Sequence, residues 1–354
     1  MPYRTTDLLI IGAGLTGLTL AYLLRDQGLH VTVLEARNRL GGRIHTRYIP
    51  GRAPVELGAT WLGRKHTALW TLLQELDIDV YPQYSGDFAR YEATVQRPPE
   101  LVQLPPNPDP SYRIAGGSSA LIRALADRLP PERLMLGQAV LSLSRTASGV
   151  SVRTPLLECR AGRVVFTLPP DLLVRGLRFD PVLQDDLIRL SRSTDTWMGH
   201  AIKVALTYEQ GFWRDRGCRG TAFSQEGPVS ELYDHSDPSG QYFALQGFVD
   251  PELRYLPLKQ RRDLVLQQLE RLYGPAAANC PEYEECVWHD QLHTTAAGTT
   301  ALAPHQGLGH PEFRKPLWGG RLFLAGTETA DAFPGYMEGA VRSAQFVARS
   351  LVGE

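Results

Sequence analysis

Gly12, Gly14 and Gly17 form a G-x-G-x-x-G run, and Glu35 follows 18 residues past Gly17. Glycines at this spacing bring backbone N–H groups onto a pyrophosphate, and an acid at this distance accepts hydrogen bonds from a ribose. Gly12 permits the tight turn, Gly14 lets the phosphate approach, and Gly17 allows the helix to pack close to the strand. A carboxylate at Glu35 repels a 2′-phosphate, which disfavours NADP. The run also has the flanks it needs. Leu8 to Ile11 reads as a parallel strand buried on both faces, Leu15 to Gln27 as a helix stopped by Gly28, and Val31 to Leu34 as a second strand. A helix start at this point offers free N–H groups and partial positive charge to an anion.

Ala36-Arg37-Asn38-Arg39-Leu40-Gly41-Gly42-Arg43 then places two more glycines and three arginines directly after the acid. A nicotinamide dinucleotide needs nothing there, whereas a longer dinucleotide needs a second phosphate clamp and a cover over its middle. Other chemistries find little support. His289 and His293 stand four apart with His305 and His310 beyond them, but no acid or cysteine cluster joins them as a metal site. There is no nucleophile elbow and no paired-carboxylate pattern.

The elements that must position these residues follow in order along 354 residues, enough for two cores. Val55 to Trp61 closes on Gly58-Ala59, and Thr67 to Leu76 is an amphipathic helix. Tyr81 to Ser111 carries Pro98, Pro99, Pro105, Pro106, Pro108 and Pro110 and reads as an extended connection between lobes. A helix is expected from Ser119 to Arg128, a hairpin over Ala139 to Leu143 and Val150 to Arg153, and a strand from Arg163 to Thr167. From Trp197 the pattern becomes one of alternating strands, His200 to Leu206, Gly220 to Gln225, Val229 to Asp234 and Tyr242 to Phe248, followed by a helix from Leu258 to Leu272. A strand at Arg321 to Leu324 and a helix from Glu338 to Leu351 end the chain. Alternation puts Lys203 on the strand face opposite Ile202 and Val204.

Composition is that of an ordinary globular protein: 43% hydrophobic, 21% charged, net charge −1. Such a balance argues against a nucleic-acid or membrane-surface binder. No apolar run approaches the roughly 20 residues of a membrane span. Four scattered cysteines, Cys159, Cys218, Cys280 and Cys286, form no disulfide framework, so a reduced, cytoplasmic setting is expected.

The A-R-x-R-x-G-G-R segment at Ala36–Arg43 resembles the signature of the flavin-containing amine oxidase family. His200-Ala201-Ile202-Lys203-Val204 with Gly211-Phe212-Trp213-Arg214 resembles the family's lysine strand and its F-W-R turn. The C-terminal LFLAGTETADAFPGYMEGAVRSA is the most specific match. The resemblance implies an α/β fold: a Rossmann-like FAD-binding domain of the glutathione-reductase type with a second, reduced α+β substrate domain on a mostly antiparallel sheet. The expected bounds are 1–80, 113–190 and 288–354 for the first and 81–112 and 191–287 for the second.

It implies cofactor contacts at Gly12, Gly14, Leu15, Thr16, Gly17, Glu35, Ala36, Arg37, Gly41, Gly42, Arg43, Gly58, Ala59, Thr60, Trp61, Val140, Gly326, Glu328, Gly335, Tyr336 and Met337. Lys203, Tyr336 and Trp288 form the implied catalytic set: Lys203 holds a water near flavin N5, Tyr336 stands against the substrate nitrogen, and Trp288 fills space beside it. Glu328 is expected to bond ribityl or phosphate-side hydroxyls, and the helix start at Gly335-Tyr336-Met337 to stabilise reduced flavin.

Two departures stand out. Ala297 and Gly298 occupy the positions of the flavin-linked cysteine and the following aromatic residue of monoamine oxidases, so FAD is expected to be non-covalent and the cage at Tyr336 to lack one wall. The stretch from Glu92 to Tyr112 replaces a mostly helical segment of the substrate lobe, which leaves an open cleft or one covered by a second copy or a partner chain. The tail anchor of the mitochondrial members is not seen before Glu354. An amine with oxygen as acceptor is the first reading. A flavin dehydrogenase or desaturase with another acceptor, and a non-catalytic FAD-bound binding or regulatory protein, stay open beside it.

Overall fold

The computed structural model describes residues 3–83, 85–215, 217–299 and 302–353. The Tyr3–Ile11 strand lies at the middle of an eight-stranded sheet. Val31–Leu34 and then Leu134–Met135 join it on one side, all parallel. On the other side it runs parallel to Glu158–Phe166, whose far half pairs parallel with Leu322–Leu324. The near half of Glu158–Phe166 meets the antiparallel pair Val150–Arg153 and Ser142–Arg145, and Arg178–Asp180 closes the edge. The first strand starts five residues before the apolar run because its polar beginning, Tyr3 to Thr6, pairs with Glu158 to Ala161 at a partly exposed margin. The Leu15–Leu23 helix ends before the expected Gln27, in turns that lead to Gly28. It packs on the final helix, Met337–Val352, through residues including Leu18, Val341 and Ala344.

A second sheet has the order Glu282–Val287, Ile202–Tyr208, Phe243–Val249, Val229–Asp234, Cys218–Ser224, Phe88–Glu92, Glu100–Gln103. All neighbours are antiparallel except Cys218–Ser224 with Phe88–Glu92. The Leu258–Tyr273 helix covers one face, with Val265, Leu269 and Leu272 against Ile202, Val204 and Leu206. Ala205, on the opposite face of that strand, packs with Val55, Leu57 and Trp288.

The proline-rich stretch is not an extended connection. Phe88–Glu92 and Glu100–Gln103 form a hairpin added to the second sheet. Pro98 and Pro99 fall between its strands, and Glu100–Gln103 is the sheet edge, where a strand needs hydrogen bonds on one side only. The hairpin is anchored by buried Glu92, which accepts from Arg271 Nε at 2.9 Å, Ser224 Oγ at 2.8 Å and Gln268 Nε2 at 3.3 Å. Two helices, Pro170–Gly176 and Asp185–Arg192, are not among the expected elements, although each has acid in its first turn and arginine in its last, and the first opens on proline. No helix among the described residues is long and apolar enough to cross a membrane.

Candidate functional site

A cavity of about 700 Å³ is lined both by strand ends of the first sheet and by residues of the second. At one end stand Gly12, Gly14, Leu15, Thr16, Glu35, Ala36 and Arg37; at the other, Trp61, Lys203, Phe248, Trp197, Trp288 and Tyr336. The glycines there answer to different demands. Gly12 has φ +109°, and a Cβ on it would lie 2.5 Å from Thr167 Oγ1; a Cβ on Gly17 would lie 2.0 Å from Gly12 O. Both positions are closed to larger residues by the protein itself. Gly14 is not: a Cβ there would come no closer than 3.9 Å to Gly41 O. The space beside Gly14 therefore suits a ligand, as a pyrophosphate cradle requires.

Glu35 is buried at the cavity wall, with Oε2 accepting from Ala13 N at 2.9 Å and Oε1 from Arg37 N at 2.8 Å. Each oxygen keeps a lone pair for a ribose hydroxyl. Arg37 donates to His293 O at 3.1 Å and Thr294 Oγ1 at 2.9 Å, and burial lowers its pKa. Arg43 forms a bidentate pair with Glu328, at 2.6 and 2.9 Å. Gly41, Gly42, Arg43, Gly58, Ala59, Thr60, Trp61, Val140, Gly335 and Met337 line the same cavity. Among its described lining residues Glu35 is the one carboxylate, against Arg37, Arg43, Arg175 and Lys203. This charge balance, the space at Gly14 and the spare lone pairs of Glu35 fit a flavin dinucleotide.

Three expected contacts fall elsewhere. Gly17 is packed under the turn, and Gly326 donates its N–H to Ser343 Oγ at 3.0 Å; neither lines the cavity. Glu328 is fully buried with both oxygens on Arg43, so its carboxylate positions that arginine, and it does not line the cavity. Gly298 has φ +74° with open space around its Cβ position and does not line the cavity, whereas Ala297 does.

Lys203 is 4% exposed. Its Nζ donates to Gly58 O and Thr60 Oγ1, and lies 5.1 Å from the Trp61 ring centre and 5.6 Å from that of Phe248. An ammonium has three donors, so one is left for a water in the cavity. Burial pulls its pKa down to about 7; Glu56 opposes the shift and Arg113 adds to it. Glu56 is itself raised by burial, although Ser118 N and Thr46 Oγ1 donate to it. Trp288 is a wall: its Nε1 donates to Leu57 O at 2.7 Å and its ring belongs to the core with Val55 and Ala205.

Tyr336 is the N-cap residue of the last helix and is partly exposed at the cavity mouth. Trp197 stands next to it, ring centres 6.0 Å apart, and His305 stacks on Trp197 at 4.0 Å. The sequence reading missed Trp197 as a site residue and weighed His305 only as a metal ligand. Neither has a local motif, because their association is made by two segments far apart in the chain. Among the described residues, no three His, Cys, Asp or Glu side chains are grouped as a metal site.

The fold and cavity define a two-lobed protein with a dinucleotide-type cradle in one lobe and a mostly antiparallel sheet in the other. The flavin containing amine oxidoreductase family matches over residues 15–110 and 100–352, and the chain belongs to that family. It is 26% identical to a Mycobacterium tuberculosis protein named as a flavin-containing monoamine oxidase, AofH, covering 99% of this chain and 97% of the relative. That alignment spans 452 positions against the 354 residues here, so the relative carries many residues with no counterpart in this chain. Human amine oxidase [flavin-containing] B is 23% identical, with 98% of this chain and 86% of the relative covered. Among solved structures, wild-type putrescine oxidase bound to putrescine superposes with a TM-score of 0.86 at 23% identity over 100% of both chains. Cyclohexylamine oxidase from Brevibacterium oxydans IH-35A gives 0.85 at 21%, over 98% of this chain and 99% of that one.

Proposed function

We propose that this chain is an FAD-dependent amine oxidase with non-covalent FAD and an open substrate end. One observation carries the reading: a single cavity joins the Gly14–Glu35 cradle to a chamber bounded by Lys203 and Tyr336. FAD, when bound, supplies the two-electron oxidation: a neutral amine gives up a hydride equivalent from its α-carbon and a proton from nitrogen, water hydrolyses the imine, and oxygen takes the electrons to become hydrogen peroxide.

The protein's part is binding, orientation and charge. Glu35 takes ribose hydroxyls, and the Leu15–Leu23 helix start and Gly14 take the pyrophosphate. Gly335, Tyr336 and Met337 present the start of the Met337–Val352 helix to the cavity, where its dipole favours negative charge. Lys203 holds a water with its remaining donor at the site of oxygen reduction. Ala297 has no thiol with which to attach the ring.

Tyr336 and Met198 are exposed at the substrate end. An amine on a large apolar body excludes water from such a cleft by itself, and a small one does not. Larger amines are therefore the better substrates.

Anaerobic mixing with a panel of amines tests the reading. The flavin absorbance bleaches with an apolar monoamine and returns quickly in air with peroxide formed. Bleaching with slow return would assign another acceptor, and no bleaching with any amine would exclude amine oxidation. Acid denaturation releases all the yellow colour from the precipitated chain; retained colour would exclude non-covalent binding.

A further inference from the structure

The segments around Trp197 and His305 are tied together with unusual care. Asp195 N donates to Gln306 O at 2.8 Å, and His305 N donates back to the Asp195 carboxylate at 3.1 Å. The rings of Trp197 and His305 stack at 4.0 Å with 21° between planes. The backbone bends sharply to allow it. Met198 and His305 have φ of +60° and +64°, and Phe333, beside Tyr336 across the mouth, has +51°. Left-handed backbone at three non-glycine residues costs energy and persists where the surroundings over-determine it. Gly335 completes the fit, since a Cβ there would lie 2.9 Å from Trp197 Cγ.

We infer that Trp197, backed by His305, is the second aromatic wall of the amine site and selects substrates with a flat apolar group over diamines. The assignment rests on the amine-oxidase reading for the chemistry at nitrogen, but the wall itself stands on this geometry. Trp197 and Tyr336 line one cavity side by side, planes tilted 39° and centres 6.0 Å apart, with His305 stacked on Trp197 and 6.4 Å from the Tyr336 ring centre, which makes a shallow wedge. Two parallel ring faces need roughly 7 Å to hold a carbon layer in contact, so a flat group lies along the opening of the wedge and meets both rings. Gly298 takes no part, being off the cavity. A second ammonium, by contrast, finds no carboxylate: among the described residues the cavity's one acid is Glu35, at the cradle end.

The test compares wild type with Trp197→Ala, Trp197→Phe and His305→Ala as flavin-loaded proteins. The probes are 2-naphthylmethylamine, putrescine, and 2-naphthylmethanol, which keeps the ring and has no oxidisable amine. Binding of the alcohol is read from the shift it causes in the flavin spectrum, and the amines from the concentration dependence of flavin reduction. Trp197→Ala weakens both naphthyl compounds about tenfold, the scale of one lost aromatic contact. The limiting reduction rate and the response to putrescine change far less. Trp197→Phe restores most of the loss, and His305→Ala lies between. Wild type prefers the naphthyl amine to putrescine.

Unchanged naphthyl binding in Trp197→Ala, or no binding of the alcohol by wild type, overturns the wall. If wild type oxidises the naphthyl amine and Trp197→Ala does so equally well, the wall fails while the amine-oxidase reading stands. If no amine reduces the flavin yet Trp197→Ala loses the alcohol, that reading fails and the wall stands.

Discussion

The two ends of the cavity are built in opposite ways. The cradle end comes largely from one continuous stretch, Leu8 to Arg43, and its shape is set by backbone: Gly17 against Gly12 O, Ala13 N on Glu35, Gly41 N on Ala13 O. The substrate end is assembled from Gly58–Trp61, Trp197–Lys203, Trp288 and Gly335–Met337, and its shape is set by side chains stacked on one another. A backbone-built site tolerates almost no change and keeps one ligand. A side-chain-built site can be revised without refolding, which is how one fold serves many substrates.

The contrast is broken or sharpened most strongly at Gly14. At Gly14 a Cβ meets nothing nearer than 3.9 Å, so Gly14→Val directs its side chain into the cradle and purifies with flavin near background; full flavin in that variant would place the cofactor elsewhere. Glu35→Ala acts at the same end and does less. It removes charge-assisted hydrogen bonds worth about 1.5–3 kcal/mol, so FAD binds more weakly but measurably in a titration. Equal loss in both variants would mean that the carboxylate also holds the turn together through Ala13 and Arg37.

The same contrast explains what could be read from sequence. The cradle was legible because its determinants are contiguous and each glycine has a steric reason. Lys203 was legible because strand alternation is local; the structure buries it on the face that carries Ala205, away from Ile202 and Val204. The Arg43–Glu328 pair is not legible in the sequence, because its partners stand 285 residues apart. The hairpin of Phe88–Glu92 and Glu100–Gln103 was hidden because proline density speaks against strands, and only tertiary context reveals that the prolines fall in the turn and past the edge strand. The Trp197–His305 stack had no periodic signal at all.

Lys203 joins the two regimes, since a strand of the second sheet fixes it while loop atoms Gly58 O and Thr60 Oγ1 aim it. Lys203→Met keeps the length and apolar stem but removes the donor to water. Reoxidation by oxygen slows by about tenfold or more, on the scale of one lost electrostatic contact in a dry site, while reduction by substrate changes little. Stopped-flow measurement of both half-reactions decides it. Equal losses would remove the lysine from the oxygen step.

The smallest effect is on stability. Burial lowers the Lys203 pKa from 10.5 to about 7, so between those values the folded chain has released a proton that the unfolded chain still holds. The unfolded state then binds more protons, and stability rises with pH across that window, by at most about 1.4 kcal/mol per pH unit from this group. Glu56 has the opposite sign at lower pH: its raised pKa makes the fold hold a proton that the unfolded chain has lost, so its contribution falls as pH rises from the acid side. Buried Cys280 and Cys286, both pushed up to about 11, also oppose Lys203 near the alkaline end. The difference between wild type and Lys203→Met isolates the lysine. Below neutral pH the methionine variant melts higher, because it buries no charge beside Arg113. Toward about pH 9 the wild type, its lysine now neutral, closes the gap. A melting difference that stays constant between about pH 6 and 9 would show that Lys203 keeps its proton in the fold, with Glu56 as a full counter-charge.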